Sequence, residues 1–330
     1  MTRGYGRYSV VAAILLIPAI AGVQLCSAAQ GIDPGWEPQN PAIAALGAPS
    51  KPQDTAPQTN IIQVPQKNLG APTASAGPSF ITAPPRRVEP FPILLNHIVQ
   101  RYVDEYLNQP GTLEGSFKRS RPYLPQMVRV MRSYGVPEDL VYLAFAESEF
   151  SRRGKGPWQF TKGTAKRYGL RVNHWVDERR DPILSTRAAA EYLADLHDAA
   201  GYDWRVAVVG WNRGDLAINR YWVMRGGSFN RYMARLPHDT QCLLARFMAV
   251  AFIAHNAAAY GIGNVNYDAA PSYSALSVRG GTKLTTLAHK YGIQLRQLKE
   301  LNPAILRDRV PPYAHTYSLR IPILRTAKAY

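Results

Sequence analysis

The sequence contains only two cysteines in 330 residues, Cys26 and Cys242. Cys26 falls inside an apolar leader and Cys242 within an apolar helical pattern, so no disulfide framework is expected to support the fold. Zinc-ligand spacing is missing, and no basic run is interleaved with aromatics, which argues against a zinc module and against a nucleic-acid partner. Acidic residues are scarce: 23 Asp and Glu stand against 39 Lys and Arg, for a formal net charge of +16 and a pI near 9.9. Such a surface attracts polyanions, whether nucleic acid, an anionic membrane or an acidic cell-wall polymer, and charge alone does not choose among them. Two-residue hydrophobic alternation is absent from residue 91 to about 262, which excludes a sheet-based domain there.

What is present begins at the N-terminus. Arg3 and Arg7 precede an apolar run from about Val10 to Val23, and Ser27, Ala28 and Ala29 follow, the pattern of a secretory signal cleaved near Ala29. Residues 1–29 are therefore expected to be a signal peptide. The run is short for a transmembrane helix, although an uncleaved signal would hold the chain at a membrane. Leu25 stands before Cys26 where a lipoprotein processing site has a small residue, which argues against lipidation. Residues 30–90 are rich in Pro, Ala, Gln, Ser and Thr without a lasting hydrophobic period, and read as a disordered linker.

From Phe91 the period becomes helical. Helices are expected near 93–108, 122–134, 137–149, 161–168, 182–200, 203–212 and 238–258, with Gly135 and Gly169 as stop signals and Asp181-Pro182 as a cap and first turn. Beyond residue 271 the order becomes strand, helix, helix, strand. The fold class is thus mainly α, a helical domain over 91–262 followed by a small α+β module over 271–323.

One residue breaks the helical pattern in an informative way. In VPEDLVYLAFAESEF, Leu140, Leu143 and Ala144 mark an apolar stripe, and its next position is Glu147. Desolvation and the negative end of the helix dipole should raise the pKa of a carboxyl there, as a general acid near neutral pH requires. From spacing alone, a partly buried acid paired with one of the many arginines is the plainer account. Glu149, about 200° further round the helix, should face elsewhere, so the two carboxylates are not expected to share a site.

The ordered set AESEF, PWQFTKGTAKRYGL, WVDERRDPILSTRAAAEYLADL, GWNRG and LPHDT resembles the catalytic domain of lytic transglycosylases. The C-terminal segment resembles a LysM module, with Asn302 and Pro303 at its usual loop. The resemblance implies a lysozyme-like helical fold, bacterial periplasmic localisation, and cleavage of the β-1,4 bond between N-acetylmuramic acid and N-acetylglucosamine with formation of 1,6-anhydro ends. Peptidoglycan strands would be the partner, with no cofactor and no metal. Glu147 matches the single catalytic glutamate. Ser148, Ser151, Trp158, Gln159, Phe160, Trp211 and Asn212 are the residues it implies at the sugar cleft. Trp158 and Phe160 could equally be core, and Gln159 a structural amide tying down a loop. Asp177 to Asp181 match a family hallmark, read here as an ion-paired scaffold.

Three departures stand out. The loop after Glu147 is cut to SRRGKGP, with Ser151 and Gly154 as its remnants; Trp211 replaces a tyrosine; and Leu243 replaces another. Two alternatives follow: a weak or silent peptidoglycan-binding scaffold, and a muramidase that hydrolyses with water and needs a second carboxylate or a positioned water.

Overall fold

The computed structural model describes residues 88, 90–223, 229–261 and 273–323; the expected signal peptide and nearly all of the expected linker lie outside them. The described residues are mainly helical with one small sheet, as the hydrophobic period requires.

Helix α1, His97–Asn108, starts where Asn96 Oδ1 accepts the amides of Ile98 and Val99 at 3.0 and 2.9 Å. Helix α2, Pro110–Ser120, is absent from the sequence expectation because Gly111 and Gly115 dilute its period; burial of Leu113 and Phe117 forms it nonetheless. Helix α3, Leu124–Ser133, buries Leu124, Met127, Val128 and Met131, and Gly135 at φ 69° turns the chain out of it.

The helix expected over 137–149 is two pieces. Glu138–Tyr142 is a 3₁₀ turn, and α4 covers only Leu143–Ser148. Tight first turns of this kind are common at helix N-termini. Helix α5, Lys162–Arg167, is capped by Thr161. Helix α6, Pro182–Ala199, starts as expected, with Asp181 Oδ1 accepting from Ile183 and Leu184 at 3.0 Å each. Helices α7, Trp204–Arg213, α8, Asp215–Val223, and α9, Phe229–Met233, follow. Helix α10, His238–His255, is buried on nearly every side and forms the axis of the core. Both α1 and α4 lie along α10, while α3 and α7 lie along α6. Glu147 therefore sits at the end of a short helix wedged against the most buried element of the domain.

Cys242 lies buried on α10.

The module is an antiparallel pair, β1, Tyr273–Arg279, with β2, Thr316–Pro322, in the register Leu276 to Leu319 and Val278 to Tyr317. Helices α11, Leu284–Lys290, and α12, Leu295–Leu301, cover one face of it around a separate core of Leu284, Leu298, Val310 and Leu319. A polar seam joins this core to the larger one. The Asp177 amide donates to Ala304 O and the Leu306 amide to Trp175 O, both at 2.9 Å. The guanidinium of Arg320 pairs with both carboxylate oxygens of Asp181, its Nη2 donating to Oδ1 at 2.9 Å. Tyr123 Oη and Arg152 Nη1 both donate to Glu300 O, at 2.9 and 2.7 Å.

Candidate active site

Glu147 is half-buried on the last turn of α4. Burial pushes its carboxyl above the usual range; the hydrogen bond from Trp211 and the positive charges of Arg246 and Lys155 oppose that rise without cancelling it. Trp211 Nε1 donates to Glu147 Oε1 at 3.0 Å. The indole that replaces the family tyrosine thus reaches the carboxyl with a hydrogen of its own.

Trp211 is held by other aromatics. Trp158, Phe160 and Tyr192 surround it, with ring centroids 5.5, 5.1 and 5.4 Å away. Trp158 is 1% exposed, and its Nε1 donates to Thr186 Oγ1 at 3.0 Å; Phe160 is 4% exposed. Both are thus buried and packed edge-to-face against Trp211.

Behind Glu147 the chain leaves α4 abruptly. Glu149 and Phe150 both adopt left-handed backbone, at φ 51° and 58°, a conformation that costs non-glycine residues free energy. Glu149 is exposed and turned to a different groove, as its helical angle predicts. The short segment that follows is closed by its own hydrogen bonds. Ser148 Oγ donates to Pro157 O at 2.8 Å and to Ala144 O at 3.1 Å, sharing its proton, and accepts the Ser151 amide at 3.1 Å. Ser151 Oγ accepts the Arg153 amide at 3.2 Å. Gln159, at φ 50°, donates from Nε2 to Gly156 O at 2.6 Å. The hydroxyls of Ser148 and Ser151 and the Gln159 amide group therefore shape the loop first.

The loop is braced from outside by the acidic-basic motif. Asp177 accepts from Arg179 Nε and Nη2 at 2.8 and 2.7 Å, and Arg179 Nη1 donates to Phe160 O at 3.0 Å. Arg180 Nε donates to Gly154 O at 3.2 Å. Gly156, at φ 75°, lies against the Arg179 carbonyl so closely that an added Cβ would stand 1.8 Å from its oxygen. This is why so short a segment can turn at all. The motif also reaches the module through Asp181, a role that no local pattern announces.

Asn212 is exposed at the end of α7, and its Oδ1 accepts from Thr240 Oγ1 at 2.7 Å. Leu243 is buried in the core of α10. Arg246, one turn further on the same helix, adds positive charge near Glu147 and was not identified by sequence spacing. The carboxyl is thus one whose burial raises its pKa, with the Trp211 indole donating to it and the charges of Arg246 and Lys155 nearby.

Residues 129–230 match the Transglycosylase SLT domain, and residues 274–330 match the Lytic transglycosylase MltD, LysM-like domain. The chain is 24% identical over 222 residues to the Membrane-bound lytic murein transglycosylase D of Escherichia coli (strain K12), which covers 64% of this chain and 48% of that protein. It is 32% identical over 121 residues to a protein of Alteromonas sp. (strain M-1) named for tributyltin chloride resistance, over 35% of this chain and 58% of that one. To the Peptidoglycan transglycosylase gp16 of Escherichia phage T7 it is 34% identical over 122 residues, 34% of this chain and 8% of that one. The chain spans about half the length of the first of these relatives.

Proposed function

The chain belongs to the lytic transglycosylase family through its two matched regions, and we propose that it cleaves the glycan strands of peptidoglycan by that chemistry. The observation that carries the reading is the protonated-side bias of Glu147, a carboxyl raised by burial and oriented by Trp211. Its protonated form gives its proton to the leaving oxygen as the C1–O bond of the muramic residue breaks. The resulting carboxylate then takes the proton of the C6 hydroxyl while O6 bonds to C1. The 1,6-anhydro ring closes, the acid is regenerated and no water is consumed. A single carboxyl suffices for both steps, so Glu149, turned to another groove, has no part in them.

In this reading residues 91–262 form the catalytic unit and 271–323 the unit that holds the glycan, with 1–29 directing export to the periplasm. Trp211 and Asn212 line the cleft, and Ser148, Ser151 and Gln159 keep its wall in shape. The name of the Escherichia coli relative, a membrane-bound transglycosylase, supports a location at a membrane. A binding scaffold of low activity is the second reading, favoured by the commitment of Ser148 and Gln159 to the loop's own hydrogen bonds.

Digestion of purified sacculi by the mature protein and by Glu147→Gln, followed by mass spectrometry of the released sugars, separates the readings. Anhydro ends that vanish in the variant are expected. Reducing ends would identify hydrolysis, and a protein that pellets with sacculi yet releases nothing would leave only the scaffold.

A further inference from the structure

A groove of about 890 Å³ runs between the segment following Glu147 and helix α12 of the module. One wall is Arg119 of α2 with residues 148–153, and the other carries Arg296 and Lys299. The cations of the α12 wall are already paired, Arg296 with Glu300 at 3.0 Å and Lys299 with Asp308 at 3.1 Å. Among the described residues, those of the opposite wall are not. Arg119 donates to Glu149 O at 2.5 Å and to Ser116 Oγ at 3.0 Å, and Arg152 donates to Glu300 O and to Tyr123 Oη. These acceptors are carbonyls and hydroxyls, which fix a guanidinium without neutralising it, and each guanidinium has donors to spare. Arg153 is exposed and makes no ion pair among the described residues. Against these three charges the same wall offers the carboxylate of Glu149 alone.

The groove thus has unspent positive charge, with Arg119 and Arg152 fixed by hydrogen bonds and Arg153 exposed, along the segment whose first residue, Ser148, adjoins Glu147. We propose that it binds the carboxylate groups of the peptides attached to the glycan strand, an inference that rests on peptidoglycan being the substrate. The sugar rings of a strand are uncharged and its peptides carry the anions, so the peptide is the part of the substrate that a guanidinium-lined groove selects. Because its walls come from both units, the site exists only while the module is docked. The arrangement favours strands that still carry peptides with free carboxylates.

The test measures binding, independently of turnover, in the Glu147→Gln background. Fluorescently labelled soluble strands with intact peptides are compared by anisotropy with the same strands after carbodiimide coupling of the carboxylates to ethanolamine. Intact strands should bind more tightly, and Arg153→Ala and Arg119→Ala should each weaken that binding about three-fold, as removal of one partly exposed charge pair does. Neither substitution should affect the capped strands. Among the described residues Arg153 makes no side-chain hydrogen bond or ion pair, so its variant is expected to keep the fold, which circular dichroism verifies. Equal affinity for both strands, or variants that weaken both alike, would overturn the proposal. So would phosphatidylglycerol vesicles that bind the parent and not the Arg153 variant while intact strands make no distinction. Failure of the catalytic reading shows separately, as no cleavage of either strand by the protein that retains Glu147.

Discussion

Trp211 Nε1 donates to Glu147 Oε1 across 3.0 Å, and this one bond opposes the effect of burial on the carboxyl it holds. A donor to a carboxylate stabilises the charged form and lowers the pKa, whereas desolvation raises it and is the larger influence. Trp211→Phe keeps a ring against Phe160 but removes the donor. The pKa of Glu147 should then rise further, moving the alkaline limb of the kcat/KM profile to higher pH, while kcat falls about ten-fold from lost orientation. A limb that moves down, or stays put, would sink this account of the pair.

The raised carboxyl also fixes a pH dependence of stability. A group whose pKa is higher in the folded state stabilises the fold below its unfolded value, about 4.5, and loses that contribution as pH rises through the folded value. Glu147→Gln removes the ionisation while leaving an oxygen for the Trp211 indole. Thermal melts at a series of pH values should show the variant gaining on the parent as pH increases, with a difference that is flat below about 4.5 and at high pH. A parent that is the more stable of the two at alkaline pH contradicts the assignment.

Gly156 is the point at which the short wall passes the Arg179 carbonyl. Gly156→Ala adds a Cβ both to a left-handed backbone and to a contact of 1.8 Å with a backbone oxygen, neither of which a rotamer change relieves. A loss of about 2 kcal/mol or more is expected in urea denaturation. Gly154→Ala has the same left-handed strain but open space around it, and should cost less.

Arg320 and Asp181 are nearly buried, with side chains 14% and 6% exposed. Arg320→Ala leaves the carboxylate in the seam without its cation, at a cost of about 3 kcal/mol. Hydrogen exchange should show where the loss lies. The amides of Asp177 and Leu306, which cross the seam, should lose protection, while Ile183 and Leu184, which still bond to Asp181 Oδ1, should retain theirs. Uniform loss across α6 would mean that the ion pair, rather than the cap, holds the helix start.

The features legible in the sequence are those set by neighbours along the chain. Asp181-Pro182 announces the start of α6 because a cap and a fixed φ act within one turn. Glu147 could be picked out because a carboxyl interrupting an apolar stripe is visible without coordinates. Helix α2 escaped detection because two glycines weaken its period and only tertiary burial of Leu113 and Phe117 restores it. For Trp158 and Phe160 the sequence leaves cleft and core both open, since an aromatic beside a functional motif does not reveal which of its faces is covered. Thr186, 28 residues away, and Trp211 decide that. The seam between the two cores is a pairing of still greater separation, outside the reach of any periodic pattern.

Arg152, in the wall behind Glu147, is tied to a carbonyl 148 residues further along, and Asp181 to a guanidinium 139 residues further. Closing loops of that size comes late in folding, after local helices have formed. The carboxyl and its indole can therefore meet before the wall has its outer braces, which arrive only when the module docks. A helical unit parted from the module would keep the acid without the groove beside it.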